Sequence, residues 1–529
     1  PLDKLFFKLS GIDPNQEMNW KQHLMALLVI NLVWFIIAML ALTNMSWLPL
    51  NPDGNPSMGG ELAFNTAVSF VTNTNLQHYS GESGVSYLGQ LILMLWQFIS
   101  AGTGIAIAAV VFIAMKERTT ATLGNFYSFF VRSCTRILLP IAFITAIILV
   151  FNGMPMTFEG KDTMVTLQGD TVQVSSGPVA GFVAIKHLGT NGGGFFGANS
   201  AHPFENPTYF TNIVEMVTQM IIPIAMIFAL GFVLNRKKIS WMIFGVMTVG
   251  FILLTIPTIL FEMNGNGAIA NMGIAQEMGS MEGKEVRFGS AASAYWSIAT
   301  TVISTGSINS MHDSFTPLSG MNQMLAMMIN SFYGGCGVGI LNYFIYIIIA
   351  VFISGLMVGR TPEFFGHKVE AREVKIAAVI TLLSAFIVKG GTALAAYYVV
   401  NHGNADWAVK PAAWLNNPGY HGFSEMLYQY TSSNANNGSG FEGVADNNPF
   451  WNITTGFAMI FGRYLPIIGS IAIIGLMANK KYIPESSGTL KVDSVTFGMM
   501  TFAVIIIITA LSYFPPLVLG PIAEYFSIH

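Results

Sequence analysis

The sequence predicts an all-α polytopic membrane protein, in which four helix/re-entrant pore loop/helix repeats surround a pseudo-fourfold pore and a further C-terminal span follows. Three observations predict this fold class. Hydrophobic residues make up 53% of the chain and charged residues only 10%, whereas a soluble domain has roughly 25% charged residues. Long apolar runs alternate with polar or basic loops. Shorter apolar segments, each followed by a polar turn, recur at intervals between them.

Apolar runs long enough to cross a bilayer, which takes about 20 residues, predict nine spans. They cover residues 23–44, 88–115, 136–153, 212–234, 240–261, 322–358, 375–400, 450–478 and 495–518. The run 322–358 is too long for one crossing and contains the stretch "YGGCGVG", which includes Gly334, Gly335, Gly337 and Gly339. A glycine-rich break at membrane depth is tolerated only where it lines a cavity or packs on protein. We therefore expect a functional interruption of this helix.

Basic residues set the expected orientation. Lys and Arg cluster after the second, fourth, sixth and eighth predicted spans, and loops rich in these residues face the cytoplasm. The alternate loops 153–180, 262–290 and 401–421 are poorer in Lys and Arg and are expected outside. The formal net charge of −3 gives no indication of a nucleic-acid partner. The lipid bilayer is the expected surroundings of the chain.

Segments too short to cross the membrane precede four clusters of small polar residues. They read "GELAFNTAVSFVTNTN", "GFVAIKHLGTNGG", "ASAYWSIATTVISTGS" and "GFSEMLYQYTSSNANNGS". Recurrence at a period of roughly 115 to 130 residues indicates repetition of one structural unit. The predicted organisation is an N-terminal cytoplasmic or interfacial segment 1–22, repeats at 23–118, 119–238, 239–372 and 373–482, and a C-terminal span and tail 483–529.

The four polar turns are predicted to meet at the pore as a selectivity filter. Their candidate residues are Asn73, Thr74, Asn75, Thr190, Asn191, Gly192, Ser304, Thr305, Gly306, Asn436, Asn437 and Gly438. Glycine in such turns permits backbone conformations that direct carbonyl oxygens inward, and rings of carbonyls replace the hydration shell of a monovalent cation. Carboxylates, which divalent ions prefer, are absent from the turns. The turns therefore predict a potassium-like ion as the only ligand, with no organic cofactor.

The spacing G-x-G-x-x-G at Gly192, Gly194 and Gly197 would indicate a dinucleotide site in a soluble protein. Such a site needs a preceding strand and a helix in water, and the sequence offers neither. The P-loop pattern G-x-x-x-x-G-K-[ST] and the P-type ATPase motif D-K-T-G-T do not occur. We therefore expect a chain that does not hydrolyse ATP by itself, and a membrane enzyme that uses a nucleotide is the least favoured hypothesis.

Several motifs resemble one family closely. They are "NTAVSFVTNTNLQHYSGE", "GTNGGGFFGANSAHPFENPT", "MEGKEVRFG", "MHDSFTPLSGM", "VGRTPEFFG" and "NPGYHGFSEMLYQYTSSNANNGS". Over nearly the whole chain the sequence resembles KdpA, the potassium-binding A subunit family of bacterial Kdp P-type potassium-transporting ATPases. The resemblance implies that the four turns form an extracellular filter, with Gln77 at its entrance. It also implies one more helix before residue 1 in this family.

Charged and glycine-rich positions near the spans are further candidates. An intramembrane ionisable residue is a functional-site hypothesis because of its cost. Arg463 resembles a family arginine near the ion exit route, whereas Arg360 also fits a cytoplasmic anchor. Lys389 matches no family feature, and snorkelling to the interface is expected for it. The resemblance implies that the broken helix with Gly334 to Gly339 blocks straight flow and directs ions into a lateral tunnel.

The resulting functional hypothesis is a potassium-binding, translocating subunit of an ATP-driven uptake pump. Its implied partners are a KdpB-like catalytic P-type ATPase subunit, which uses the ATP, and KdpC-like and KdpF-like small subunits. The implied location is the inner (plasma) membrane of a bacterium. The alternative hypothesis is a free-standing potassium channel or cation symporter of the same superfamily. The histidines near the outside loops, His187, His202, His312 and His421, show no spacing that predicts a metal site.

Overall fold

The computed structural model describes residues 2–359, 361–483 and 491–528. Its first part contains an N-terminal helix and the first repeat. The helices are α1 (Leu2–Ser10), α2 (Trp20–Leu42), α3 (Gly60–Val71), α4 (Gly81–Gly84) and α5 (Tyr87–Lys116). Helix α2 begins at a capping box, in which the Asn19 side chain accepts from the backbone of Gln22 and the Gln22 side chain accepts from the backbone of Asn19.

The second repeat adds a surface hairpin. Its elements are α6 (Phe126–Arg132), a π-helical turn (Ser133–Leu138), α7 (Leu139–Phe151), β1 (Asp162–Val165), β2 (Thr171–Val174), α8 (Val179–Leu188) and α9 (Tyr209–Val233). Strands β1 and β2 pair antiparallel with Asp162 opposite Val174. Helix α6, the π-helical turn and α7 form one continuous stretch, so the third span begins ten residues earlier than the expected 136.

The third repeat contains the broken helix. Its elements are α10 (Lys237–Met263), α11 (Gly267–Asn271), α12 (Gly289–Ile303), α13 (Pro317–Ile329), α14 (Val338–Val358), β3 (Glu363–Phe364) and β4 (His367–Lys368). The non-helical break covers residues 330–337. It therefore begins three residues before the predicted Tyr333, and Gly339 lies in the first turn of α14.

The fourth repeat and the C-terminal part complete the chain. Their elements are α15 (Ala371–Asn401), α16 (Gly419–Ala435), α17 (Pro449–Ala478), α18 (Val495–Leu517), a π-helical turn (Val518–Ile522) and α19 (Ala523–Ile528). Within residues 2–359, 361–483 and 491–528, nine helices are long and apolar enough to cross a membrane. The predicted number of spans is confirmed, and α3, α8, α12 and α16 are the shorter helices that precede the polar turns.

Burial separates an inner from an outer layer of helices. In the most apolar 18-residue stretch of α5, 78% of the residues are buried, whereas in that of α15 only 22% are buried. Helix α15 carries exposed apolar side chains such as Leu382 and Phe386. The inner face of α5 is built from small residues between Ala101 and Ala108, which permit close helix packing. Lipid-facing apolar side chains and a small-residue interior are what a multi-pass membrane fold requires.

Loops gather at two opposite ends of the helix bundle. At one end, Thr120 N–H donates to the Ala478 carbonyl (3.1 Å), Lys480 pairs with Glu373 (2.8 Å), and Arg236 lies over the Phe365 ring. These contacts join the basic loops after α5, α9, α14 and α17. The predicted grouping of the basic loops on one side is therefore present in the fold, and its cytoplasmic assignment stays a prediction.

Candidate functional site

The four polar turns share one backbone conformation. The N–H of the second turn residue donates to a carbonyl five residues earlier in each turn, at 2.8 to 2.9 Å: Thr74 to Ser69, Asn191 to Lys186, Thr305 to Thr300 and Asn437 to Ser432. The flanking positions have positive φ: Asn73 62° and Asn75 59°, Thr190 51° and Gly192 82°, Ser304 56° and Gly306 88°, Asn436 53° and Gly438 101°. Alternating signs of φ let successive carbonyl groups share one side of the chain.

The turns close into a ring because each glycine packs against a carbonyl of the next turn. A Cβ added to Gly192 would lie 2.0 Å from the Thr305 oxygen, one on Gly306 2.1 Å from the Asn437 oxygen, and one on Gly438 2.1 Å from the Thr74 oxygen. The second turn therefore contacts the third, the third contacts the fourth, and the fourth contacts the first. The first turn carries Asn75 where the others have glycine, and its Cβ packs against Gly193 after the second turn.

Side chains in the turns bind neighbouring turns. The Asn73 amide donates to the Gly189 and Thr190 carbonyls (3.2 and 3.1 Å), and the Ser304 hydroxyl donates to the Ala435 carbonyl (3.2 Å). The Asn436 amide donates to Thr74 Oγ1 (2.9 Å). The Thr190 and Gly192 carbonyls accept hydrogen bonds from Asn73 and Asn199. The other backbone carbonyls of the turns accept none from a side chain in the part of the chain described, so they are the oxygens that remain for an ion. All twelve residues predicted for the filter therefore lie in one assembly, and their role as ion ligands stays a prediction.

An outer vestibule opens onto the ring. Gln77, the predicted entrance residue, lines it and is bonded to Gly194 in both directions: its amide donates to the Gly194 carbonyl (2.9 Å) and its oxygen accepts from the Gly194 N–H (2.8 Å). Gln77 thus connects the first turn with the residues that follow the second turn. Glu442 and Asp446 line the same vestibule and supply its carboxylates. When ionised, these two groups favour the approach of cations over anions.

The break between α13 and α14 passes beneath the ring. Cys336 N–H donates to Thr190 Oγ1 (2.8 Å), Ser304 Oγ donates to Asn330 Oδ1 (3.0 Å), and the Asn330 amide donates to the Ala435 carbonyl (3.2 Å). Gly334, Gly335 and Gly337 have positive φ within this loop. Gly339 lies so close to Gly334 that an added Cβ would be 1.9 Å from the Gly334 oxygen. Three of the predicted gate glycines therefore lie in one loop under three of the four turns, and Gly339 packs against this loop from the first turn of α14.

Arg463 lies beside this loop. An added Cβ on Gly104 would be 2.1 Å from the Cys336 oxygen and 3.1 Å from Arg463 Nη2, so helix α5, the loop and the guanidinium meet at one point. Arg463 is 5% exposed, and among the described residues its Nη2 finds no hydrogen-bond partner. A buried guanidinium nitrogen without a partner is costly, so Arg463 stays a predicted functional residue. Arg360, the other predicted arginine, lies outside the described residues.

One of the histidines belongs to a cluster that the sequence did not reveal. His421, Asp313 and Glu425 offer ligand atoms within 4.8 Å of one another. Both ring nitrogens of His421 are bonded to carboxylate oxygens, to Asp313 at 2.9 Å and to Glu524 at 2.7 Å. Burial alone lowers the pKa of an imidazole, but these two hydrogen bonds raise the pKa of His421 to about 10. The cluster thus fits a paired imidazolium, which cannot ligate a metal.

The fold and the ring define a class of protein, a multi-pass membrane protein with a pore of pseudo-fourfold symmetry. A solved structure with this fold is the potassium transporter TrkH from Vibrio parahaemolyticus, which superimposes with a TM-score of 0.53 at 14% identity over 84% of this chain and 83% of that one. A family model described as the potassium-transporting ATPase A subunit, KdpA, matches residues 1–526. The chain belongs to the KdpA family.

Curated relatives agree with this assignment. The chain is 68% identical to the potassium-transporting ATPase potassium-binding subunit of Flavobacterium psychrophilum, over 100% of this chain and 92% of the relative. It is 46% identical to the subunit of the same description from Geobacillus kaustophilus, over 100% of this chain and 92% of that one. The predicted family is therefore confirmed.

Gly192→Ser is expected to raise the potassium concentration that gives half-maximal activity, since a side chain at this position would collide with the Thr305 carbonyl and needs an unfavourable φ. We expect a change of about tenfold or more, from potassium titrations of the purified transport complex. Gly245→Ser in α10, where a Cβ meets no atom within 4 Å, is the matched control. An unchanged half-saturation in Gly192→Ser would contradict the assignment of this turn.

The vestibule predicts a pH dependence of potassium affinity. Burial raises the pKa of Glu442 to about 8, against the lowering effect of a hydrogen bond from the His312 N–H, and Asp313 nearby adds to the rise. Burial also raises the pKa of Asp446, opposed by His78. Glu442 is neutral below pH 8 and negatively charged above it. Raising the outside pH from 7 to 9 should therefore lower the half-saturating potassium concentration, by about threefold.

Glu442→Gln should remove most of this pH dependence, as measured by potassium-stimulated ATP hydrolysis of the complex at pH 7, 8 and 9. Asp162→Asn, an exposed carboxylate at the start of β1, is the control and should retain it. A Glu442→Gln variant that keeps the full pH dependence would show that another group is responsible.

Proposed function

We propose that this chain captures potassium from outside, dehydrates it in the ring of four turns, and passes it to a catalytic partner in an ATP-driven uptake pump. The observation that carries the proposal is the closed ring, in which glycines pack on carbonyls of the next turn and side chains are used to hold the turns together. Backbone carbonyls arranged around an axis are the oxygens that replace the hydration shell of potassium.

The ligand chemistry supports a weakly hydrated monovalent cation. The twelve filter residues offer neutral carbonyl, amide and hydroxyl oxygens and no carboxylate. Calcium and magnesium favour sites built with carboxylates. The carboxyl groups of Glu442 and Asp446 lie instead in the vestibule, where their ionised forms raise the local cation concentration without selecting among ions. Attraction and selection are therefore assigned to different residues.

A lateral route below the ring is supported by a cavity of about 60 Å³ that begins beside Asn330 and Asn434. It extends between α15 and α18. Its polar lining residues are Asn330, Asn342, Thr381, Ser384, Asn434, Thr509 and Ser512. The straight path is occupied by the 330–337 loop and the Arg463 guanidinium. An ion that has crossed the ring thus finds polar groups to the side and a fixed positive charge near the axis.

Energy coupling is assigned to partners. The chain lacks the P-loop and the D-K-T-G-T phosphorylation motif, so we infer that a KdpB-like P-type ATPase subunit uses the ATP. KdpC-like and KdpF-like small subunits complete the proposed complex, and the bacterial inner membrane is its proposed location. The relatives are described as potassium-binding subunits of a potassium-transporting ATPase, which supports this division of labour.

The deciding experiment measures ATP hydrolysis by the purified complex with potassium, rubidium or sodium as the only added cation. We expect stimulation by potassium, weaker stimulation by rubidium and none by sodium at comparable concentrations. Stimulation by sodium equal to that by potassium would exclude a selective filter. Potassium flux through the isolated chain in proteoliposomes, without any ATPase, would instead favour a free-standing channel.

Arg463→Gln tests the exit route. Because Arg463 lies beside the 330–337 loop and its Nη2 donates to no filter residue in the part of the chain described, potassium half-saturation should change less than about threefold. The maximal transport rate should fall by about tenfold, since the fixed charge that keeps ions off the straight path is lost. Both quantities are read from potassium uptake into proteoliposomes containing the complex.

Lys389→Gln is the matched control, because Lys389 is a lysine within a spanning helix but exposed. It should leave both the half-saturation and the maximal rate unchanged. A normal maximal rate in Arg463→Gln would remove this residue from the transport route.

A further inference from the structure

A group of buried charged side chains lies behind the second filter turn. Lys186 in α8 and Glu205 are both fully buried, and Lys186 Nζ is 2.5 Å from Glu205 Oε2. The ammonium also donates to Asn199 Oδ1 (2.7 Å) and Ser200 Oγ (2.8 Å). A buried lysine is rare unless it is paired and hydrogen-bonded in this way. Nothing in potassium recognition by carbonyls requires a cation here.

Asn199 connects this group to the filter. Its Nδ2 donates to the Gly192 carbonyl at 2.6 Å, and Gly192 belongs to the second turn. The orientation of the Asn199 amide is determined by its surroundings, because Oδ1 accepts from Lys186 Nζ and from the Ser200 N–H (2.8 Å), both of which are donors only. Lys186 therefore fixes which end of the amide faces Gly192.

The position of Lys186 is occupied by a hydroxyl residue in each of the other repeats. Ser69, Thr300 and Ser432 are equivalent to it, since the carbonyl of each accepts the same turn N–H. Thr300 Oγ1 accepts from Gly306 N–H and Ser432 Oγ accepts from Gly438 N–H, both at 3.0 Å. Ser69 Oγ donates to the Leu76 carbonyl (2.9 Å). An ammonium cannot accept from Gly192 N–H, so the second turn is held through its carbonyl instead.

The same group reaches the third turn. Ser307, which follows Gly306, has its hydroxyl 2.8 Å from His187 Nε2, 3.2 Å from Asn199 Oδ1 and 3.3 Å from Ser200 Oγ. Its carbonyl accepts from Trp296 Nε1 (2.7 Å). The Lys186 group is therefore a common support of two adjacent turns of the ring.

We propose that Lys186, acting through Asn199, is a specificity-determining positioning residue of the filter. The buried pair with Glu205 locks the Asn199 amide onto the Gly192 carbonyl, and this sets the distance of one ring of oxygens from the axis. The inference deepens the proposed function and rests on it. Potassium selectivity depends on the size and field of the carbonyl cage, so a rigidly held carbonyl in one turn restricts the ions that the ring accepts.

The hydrogen bond between Asn199 and the Gly192 carbonyl is held rigidly for a physical reason. Releasing Asn199 would leave Lys186 with one donor fewer satisfied in the protein interior, and breaking the pair itself would leave a buried charge uncompensated. The hydroxyl caps of the third and fourth turns involve neutral groups and yield more easily. The four turns are thus alike in backbone and unequal in rigidity, with the second turn the most constrained.

The first test variant is Asn199→Gly. Glycine accepts the φ of 53° at this position, so backbone strain is not introduced. The variant removes the donor to the Gly192 carbonyl and also the amide oxygen that accepts from Lys186 and from the Ser200 N–H. We expect the half-saturating potassium concentration of the purified complex to rise by about 3- to 10-fold, with a maximal rate within about twofold of wild type. The ratio of rubidium to potassium half-saturation should move toward one.

The second variant is Lys186→Met with Glu205→Gln, which removes both members of the ion pair and retains the neighbouring buried carboxyl of Glu215, which accepts from Ser200 Oγ at 2.8 Å. It should shift the rubidium to potassium ratio in the same direction. The matched control is Lys284→Met with Glu262→Gln, a second pair with fully buried side chains at 2.8 Å. Lys284 contacts the Glu282 carbonyl and the Phe315 ring, neither of which lies in a filter turn. The control should keep the wild-type ratio.

Equilibrium binding of potassium and of rubidium to the purified complex separates a failure of the proposed function from a failure of the positioning role. A wild-type complex that does not bind potassium would contradict the proposed function. A wild-type complex that binds potassium, together with variants Asn199→Gly and Lys186→Met/Glu205→Gln of unchanged ion ratio, would overturn only the positioning role. An equal change of the ratio in the Lys284→Met/Glu262→Gln control would also overturn it, since a general loss of stability would then be the cause.

Discussion

The close approach of a glycine Cα in one turn to a carbonyl oxygen in the next is the constraint on which the rest of the structure depends. Gly192, Gly306 and Gly438 each leave only about 2 Å between the neighbouring oxygen and the point where a Cβ would stand. This distance determines how close the four turns lie to the axis of the pore. The turns that follow the short helices α3, α8, α12 and α16 must then meet at the same depth in the bundle. The spanning helices pack around these short helices.

The ring explains why so many polar side chains are buried in a protein that is 53% hydrophobic. A bilayer offers no hydrogen bonds to irregular backbone, so every turn must be satisfied by protein groups. Asn73, Ser304 and Asn436 do this from within the turns, and Gln77 does it from the entrance. Their amides and hydroxyls are supports for the carbonyl cage, and the cage is what remains free to meet an ion.

Repetition made much of this predictable from the sequence. The recurring short helix and polar turn identified the four turns and all twelve residues, because a fourfold recurrence is improbable for ordinary loops. The start of the 330–337 break was predicted less accurately. Helix α13 ends just before Asn330, which has a positive φ, and an asparagine only weakly indicates such a conformation. Lys389 attracted attention as a lysine in a spanning helix and is exposed, whereas Lys186 is fully buried. The sequence pattern does not show whether a helical lysine faces lipid or the protein interior. Only the packing of the helices shows which of the two lysines has carboxylate and amide partners.

The four repeats of one chain are free to differ, as four identical subunits are not. Position 75 is asparagine where the other turns have glycine, and position 186 is lysine where the others have a hydroxyl. Beneath the ring, the third repeat supplies the 330–337 loop, and a cavity opens beside it among the third repeat, the fourth repeat and α18. Exact fourfold symmetry would repeat any side exit four times. Unequal repeats are compatible with the proposed function, in which a nearly symmetric filter above leads to a single exit below, toward a partner at one side of the pore.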